Sequence, residues 1–251
     1  MEKNKKTLLI SLALVLLVFS LGIGVYKYFN GRSSRMAYER AEKAYLRQDL
    51  YNADRFGRLS LYYNDENAKT HFLLAKINAD LDFFDEVLKF SNWAIEYNGD
   101  PDPAMYFLRG KAYYKLNDYM SAKEDLMHSQ SLYADIDSVD FYLGKIQQNF
   151  KKHDEAIAYY DKHLATDKKS FEALYQKGRC YYELSKYEQA VKFYEAALEI
   201  KDDHAEANFL CALAYIELGD TLNVCTYLNE AKIRGHEDAS HMHMDLCAEY
   251  R

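Results

Sequence analysis

Apolar and small side chains return along this chain at helical intervals, and the helices they mark return every 34 residues. Gly110, Gly144 and Gly178 stand 34 apart, each inside the first helix of an apolar, tyrosine-rich pair. In residues 171–204, FEALYQKGRCYYELSKYEQAVKFYEAALEIKDDH, the first predicted helix carries Leu174, Gly178 and Tyr181, and the second carries Ala190, Tyr194 and Ala197. Small residues at Gly178 and Ala190 let the two helices approach closely. Ala197 leaves room for the following pair, and Leu174 and Tyr194 fill the remaining space. A unit this small cannot bury its own apolar face and has to stack on its neighbours. The pattern therefore predicts an all-α solenoid that works through an extended surface rather than a pocket.

Moved by 34, the same pattern fits 103–136 through Tyr106, Gly110, Tyr113 and Ala122, and 137–170 through Leu143, Gly144, Ala156 and Tyr160. Residues 205–238 keep Ala212, Tyr215, Leu228 and Ala231, with Val224 where alanine is expected. Towards the N-terminus the pattern fades. Residues 68–102 keep Phe72, Ala75, Phe84 and Ala94 over 35 residues, and 34–67 keep Ala41, Ala53 and Ser60. Six units result, 34–67, 68–102, 103–136, 137–170, 171–204 and 205–238, and residues 239–251 are expected to form a capping helix.

These positions resemble the tetratricopeptide repeat (TPR) family, whose pattern is a bulky residue, a Leu-Gly pair, Tyr, Ala, an aromatic, Ala and finally Pro. Residues 171–204 match closely, departing at Lys177, where leucine is usual, and at Asp202, where proline is usual. The resemblance implies that first helices line a concave side, with the fifth and ninth positions of each unit facing inward. The fifth position reads Tyr38, Phe72, Phe107, Phe141, Tyr175, Phe209, an aromatic ladder that serves either scaffold packing or peptide contact. The ninth reads Lys76, Lys111, Lys145 and Arg179 in four successive units, where the family prefers asparagine. With helices 8 to 10 Å apart this is a row of roughly 30 Å, suited to an acidic segment or a C-terminal carboxylate. Asp80 and Glu183 stand four residues after Lys76 and Arg179 and are expected to neutralise them, leaving Lys111, Lys115 and Lys145 as the basic centre. Further on, Glu172, Glu183, Glu206 and Glu217 reverse the sign. The carboxylate clamp of the chaperone-binding TPR subset is not carried over, because its asparagine is missing here.

Ahead of the repeats, Leu8 to Tyr26 is a 19-residue run without a charge, between Lys3, Lys5, Lys6 and Lys27, Arg32, Arg35. At 1.5 Å per residue it reaches roughly 28 Å, about the thickness of a hydrocarbon core. The reading is a short tail at 1–6, a transmembrane signal anchor at 7–29 and a linker at 30–33. A cleaved secretory signal is the alternative, with Gly22-Ile23-Gly24 as a weak cleavage site. Basic residues at both ends make orientation hard to read, but so short a tail places it in the cytoplasm and the repeats outside. The expected location is a bacterial inner membrane, single-pass, with the repeats in the periplasm.

A formal charge of -7 argues against a nucleic-acid partner, which needs a basic face. No phosphate loop, nucleophile elbow or HExxH is present, so no enzyme, cofactor or small-molecule substrate is expected. The other histidines, His71, His128, His153, His163 and His204, are scattered over different units. His236, His241, His243 and Cys247 have soft-metal chemistry, but their spacing matches no metal motif, and no metal is expected. Cys180, Cys211, Cys225 and Cys247 are expected as buried free thiols, although Cys180–Cys211 and Cys211–Cys225 contacts are conceivable.

The expected function is a membrane-anchored scaffold or adaptor holding a protein or peptide partner, within an envelope assembly or secretion machine. Two alternatives share the layout: a chaperone-like accessory of a translocon, and a cytosol-facing import receptor.

Overall fold

The structure, a computed structural model, describes residues 2–99, 102–132 and 138–247, with side chains from Ser20 onward. The described residues form thirteen α-helices and no strand. The chain divides into two compact units, residues 1–118 and 119–251.

The first unit holds α1 (Glu2–Leu46), α2 (Leu50–Tyr63), α3 (Ala68–Asp80), α4 (Phe84–Tyr97) and α5 (Pro103–Lys115). The second holds α6 (Tyr119–Leu132), α7 (Val139–Asn149), α8 (His153–Thr166), α9 (Phe171–Glu183), α10 (Tyr187–Leu198), α11 (Ala205–Leu218), α12 (Thr221–Ile233) and α13 (Glu237–Leu246). Within each unit, consecutive helices pack in chain order and first helices also touch: α1 with α3, α3 with α5, α7 with α9, α9 with α11. That side-by-side contact is what builds a continuous inner face.

The turns between the helices of a pair carry the repeat in the backbone. Gln48, Asp82, Asn117, Lys151, Ser185 and Gly219 all have positive φ, at 56° to 73°, and follow one another at the repeat interval. Each ends a first helix in a left-handed residue. The next amide then reaches back to a helix carbonyl, as in Lys152 N–H to Gln147 O at 2.9 Å and Lys186 N–H to Tyr181 O at 2.9 Å. Only the last of the six is glycine, so composition does not announce them.

Packing follows the small residues. Ala53, Val87, Ala122, Ala156, Ala190 and Val224 are all buried, and so are Ser60, Ala94, Ser129, His163, Ala197 and Ala231 seven residues on. A β-carbon on Gly178 would lie 2.7 Å from the Tyr194 ring, and one on Gly144 would lie 2.7 Å from the Tyr160 ring. Both tyrosines are fully buried. Where Ser60 replaces the usual alanine, its hydroxyl joins Ser34 at 3.0 Å and Thr70 at 2.9 Å, which satisfies three buried hydroxyls among α1, α2 and α3.

Two expectations need correction. The linker foreseen at 30–33 is helical, because α1 runs unbroken from Glu2 to Leu46. A lone Gly31 costs a helix only about 1 kcal/mol, and no proline stops it. The cysteines are not all free either: Cys225 and Cys247 form a disulfide that ties α13 to α12, while Cys180 and Cys211 are free and buried. The apolar run expected to span a membrane, 7–29, lies inside α1, with its side chains before Ser20 outside the described residues. Among the described residues no helix is long and apolar enough to cross a membrane. The unit boundary at 136/137 and the last four residues of the capping segment also lie outside the described residues.

Candidate partner-binding face

In the second unit the inner face is built from α7, α9 and α11. Phe141 and Lys145 come from α7, Glu172, Tyr175 and Arg179 from α9, and Glu206 and Phe209 from α11. Lys145 lies with its ammonium 5.5 Å from the Phe141 ring. Burial holds its pKa below the ordinary lysine value, and the Arg179 guanidinium pushes the same way while Glu172 opposes. Two cations on neighbouring helices thus feel one another, with the Glu172 carboxylate acting against them. Burial raises the Tyr175 phenol, with Arg179 and Glu206 acting in opposite directions. Arg179 donates to Gln176 Oε1 at 3.4 Å.

The aromatic ladder has a second layer that the linear sequence hides. Phe141 packs against His163 at 5.5 Å, Tyr175 against His204 at 5.4 Å, and Phe209 stacks on His236 at 4.1 Å. The latter two histidines cap helices, accepting through Nδ1 from the Ala207 and Ala239 amides at 3.1 and 3.3 Å. His236 then presents Nε2–H to Glu206 at 3.0 Å. Two of the histidines described above as scattered, His163 and His204, therefore stand with His236 behind the ladder. Their spacings of 41 and 32 residues follow no repeat, so no periodic search finds them.

In the first unit α3 and α5 supply Phe72, Lys76, Phe107, Lys111 and Lys115. Lys76 lies over Phe72 at 4.2 Å. Asp80, its expected neutraliser, instead takes a hydrogen bond from the Tyr45 phenol, whose pKa burial and this carboxylate together push up to about 12. Lys111 is half-buried, while Lys115 is exposed with its ammonium 5.8 Å from the Phe84 ring.

One departure from the repeat pattern, Lys177, proves structural. Lys177 is buried and reaches back across α8–α9 to the Asp161 carboxylate, with its ammonium 4.0 Å from the Phe193 ring. Glu195 on α10 accepts from Tyr215 at 2.7 Å and Tyr227 at 2.9 Å on one oxygen, clasping α11 and α12 together. Cys247, in its disulfide, has no thiolate to offer beside His243.

Two family models of the tetratricopeptide repeat match the sequence, one over residues 171–204 and one over 103–136. No curated protein sequence matches. Among solved structures the chain is similar to PilF of Pseudomonas aeruginosa, with TM-score 0.70 and 17% identity, covering 88% of this chain and 99% of that one. It is also similar to YrrB, described as a TPR protein with an unusual peptide-binding site, with TM-score 0.61 and 18% identity over 74% of this chain and 96% of that one. MamA gives TM-score 0.61 and 20% identity over 70% and 96%. At such identities the likeness is one of fold. The chain carries tetratricopeptide repeats in an all-α, TPR-like architecture.

Proposed function

We propose that this protein is an interaction scaffold, and that an extended segment of a protein partner lies across the inner face of its repeats. The observation that carries this reading is the pair Lys145 and Arg179: two cations on adjacent first helices, near enough for one to lower the other's pKa, flanked by the half-buried rings of Phe141 and Tyr175. Glu206 and Phe209 continue the same face on α11. Such a surface takes an acidic side chain between aromatic walls and a basic or amide group one helix further on. The histidines near it pack and cap, which leaves them a structural role rather than proton transfer.

Placement is proposed with it. The uncharged run at 8–26 supports a tether, and the Cys225–Cys247 disulfide supports an oxidising compartment, as a periplasm is and a cytosol is not. This favours an exported adaptor over a cytosol-facing receptor. A chaperone-like accessory of a translocon stays as the second reading within the same placement, supported by the half-buried aromatic ladder, which offers apolar contact without sequence preference.

The test uses a photocrosslinker placed at Tyr175 in the full chain, in membranes of its own host, with an equivalent label on the outer face at Glu188. A single stoichiometric partner at Tyr175, lost in Lys145→Glu/Arg179→Glu, is the expected outcome. Many unfolded chains at Tyr175 would select the chaperone reading. Equal labelling at both positions would refute an inner-face site.

A further inference from the structure

The repeats begin to pack on α1 only at Ser34, which is buried, followed by Ala37 and Ala41. From Ser20 to Gly31 the described side chains of α1 are exposed but for the half-buried Asn30, and they are ordered by chemistry along the axis. Leu21, Ile23 and Val25 are exposed first, then the rings of Tyr26, Tyr28 and Phe29, then Arg32 and Arg35. Lys27, Gly31 and Arg35 share one strip at a four-residue interval, with Tyr28 and Arg32 beside it, and together these five line an open notch. Gly31 has no atom within 4 Å of where a β-carbon would be, so its missing side chain deepens the notch between the cations. From Lys3 to Tyr38 the sequence has no Asp or Glu, and the first acidic residue, Glu39, lies one turn beyond Arg35.

We infer that residues 26–35 of α1 form a collar that binds the phosphate of anionic lipid headgroups, with Lys27, Arg32 and Arg35 as the cations and Tyr26, Tyr28 and Phe29 at the hydrocarbon boundary. The occupant follows from the order. Apolar, then aromatic, then cationic side chains within about 20 Å of one helix match the hydrocarbon, interfacial and phosphate layers of a leaflet. A protein partner or a second α1 would account for the apolar turns but not for three cations gathered around a glycine notch that no carboxylate lines. A consequence is positional: the first buried contact of the repeats lies within one turn of the phosphates, so the first unit is held at the membrane surface rather than swinging from it.

This rests on the tether proposed above, and the experiment separates the two. The full chain is reconstituted into phosphatidylcholine vesicles containing a minor fraction of phosphatidylglycerol. Flotation after alkaline carbonate washing reports the tether, and motional restriction of spin-labelled phosphatidylglycerol against spin-labelled phosphatidylcholine reports the collar. Each engaged cation is expected to favour the anionic lipid by about fivefold, falling with salt. Arg32→Gln/Arg35→Gln should abolish most of that preference while flotation persists, and inorganic phosphate should lower it no more than chloride does at equal ionic strength. Equal restriction of both lipids, or a preference that survives the double variant, overturns the collar and leaves the tether. Displacement by inorganic phosphate beyond the chloride effect overturns the lipid assignment, as does self-association through α1 without lipid selectivity. A chain that fails to float removes the tether and the collar with it.

Discussion

Replacing Gly178 by alanine should destabilise the second unit, although alanine is the better helix former. The added β-carbon would meet Tyr194 Cδ1 at 2.7 Å and Cε1 at 2.8 Å, and the ring it meets is rigid and fully buried. Helix propensity favours the alanine by about 1 kcal/mol, while overpacking of this kind costs up to about 3 kcal/mol, so the net loss is about 2 kcal/mol. Unfolding entropy near 2.1 cal/mol/K per residue over roughly 130 residues converts that to a fall in Tm of about 7 °C. Gly57→Ala is the control in the first unit, because its β-carbon would meet the Leu74 Cδ2 methyl at 2.8 Å, the end of a side chain that can rotate. Circular dichroism melts of the full chain in detergent, with a limited-proteolysis readout for each unit, should show Gly178→Ala well below Gly57→Ala. A rise in the second unit's Tm with Gly178→Ala would mean propensity dominates and that α9 and α10 are not seated through this glycine.

Lys177→Met should change stability by less than about 1 kcal/mol, since an apolar side chain of similar length fits a buried site at no charge cost. Asp161→Ala should cost more, by leaving the buried ammonium to the Phe193 and Tyr181 rings; chemical denaturation of the pair decides the order. Lys151, at φ 58°, holds a left-handed conformation that suits glycine, so Lys151→Gly should stabilise by about 0.5 to 1 kcal/mol, and Asn117→Gly by less because asparagine tolerates that region. The melting curve reports both, and a loss in either would tell against the turn geometry. The disulfide joins residues 22 apart, a loop whose closure removes roughly 3 kcal/mol of unfolded-state entropy. Cys225→Ser/Cys247→Ser should therefore loosen α13 in hydrogen exchange while α7 and α8 keep their protection. Equal loss across the second unit would show that α13 is no separate cap.

Much of the fold was legible because each repeat position is a statement about volume. Gly178 and Ala190 can only be small where helices cross, and Tyr194 can only be large opposite a glycine, so spacing alone recovers the register. The turns escaped that logic. Their left-handed residues are Gln48, Asp82, Asn117, Lys151 and Ser185, whose identities say nothing of φ, and only Gly219 has the expected composition. The disulfide escaped it too, since Cys247 lies beyond the last unit, where no repeat position indicates its neighbour. Lys177 was visible as a departure, but the carboxylate it meets belongs to the preceding unit, sixteen residues back. One expected neutraliser, Asp80, misled for a related reason. Intrahelical spacing offered Asp80 to Lys76, whereas the carboxylate is drawn across to Tyr45 on α1, a contact set by packing of first helices.

These contacts divide the labour on the inner face. Each ladder ring of the second unit is backed by a histidine that is itself fixed, His204 and His236 as helix caps and His163 by Ser170 at 3.2 Å. Rings held from behind keep one edge for a ligand and lose little rotamer freedom on binding, so they supply contact area without choosing among partners. On the proposed reading, choice falls to the charges. Lys145 is half-buried and Arg179 exposed; the two repel one another, and in the proposed site an acidic group would relieve that repulsion as well as gain its own contacts. Beside them, His236 already donates to Glu206, so the acidic end of the face is partly satisfied before any ligand arrives. On the proposed reading the sharper discrimination sits on α7 and α9, where two cations neighbour one another, rather than on α11, where Glu206 already holds His236.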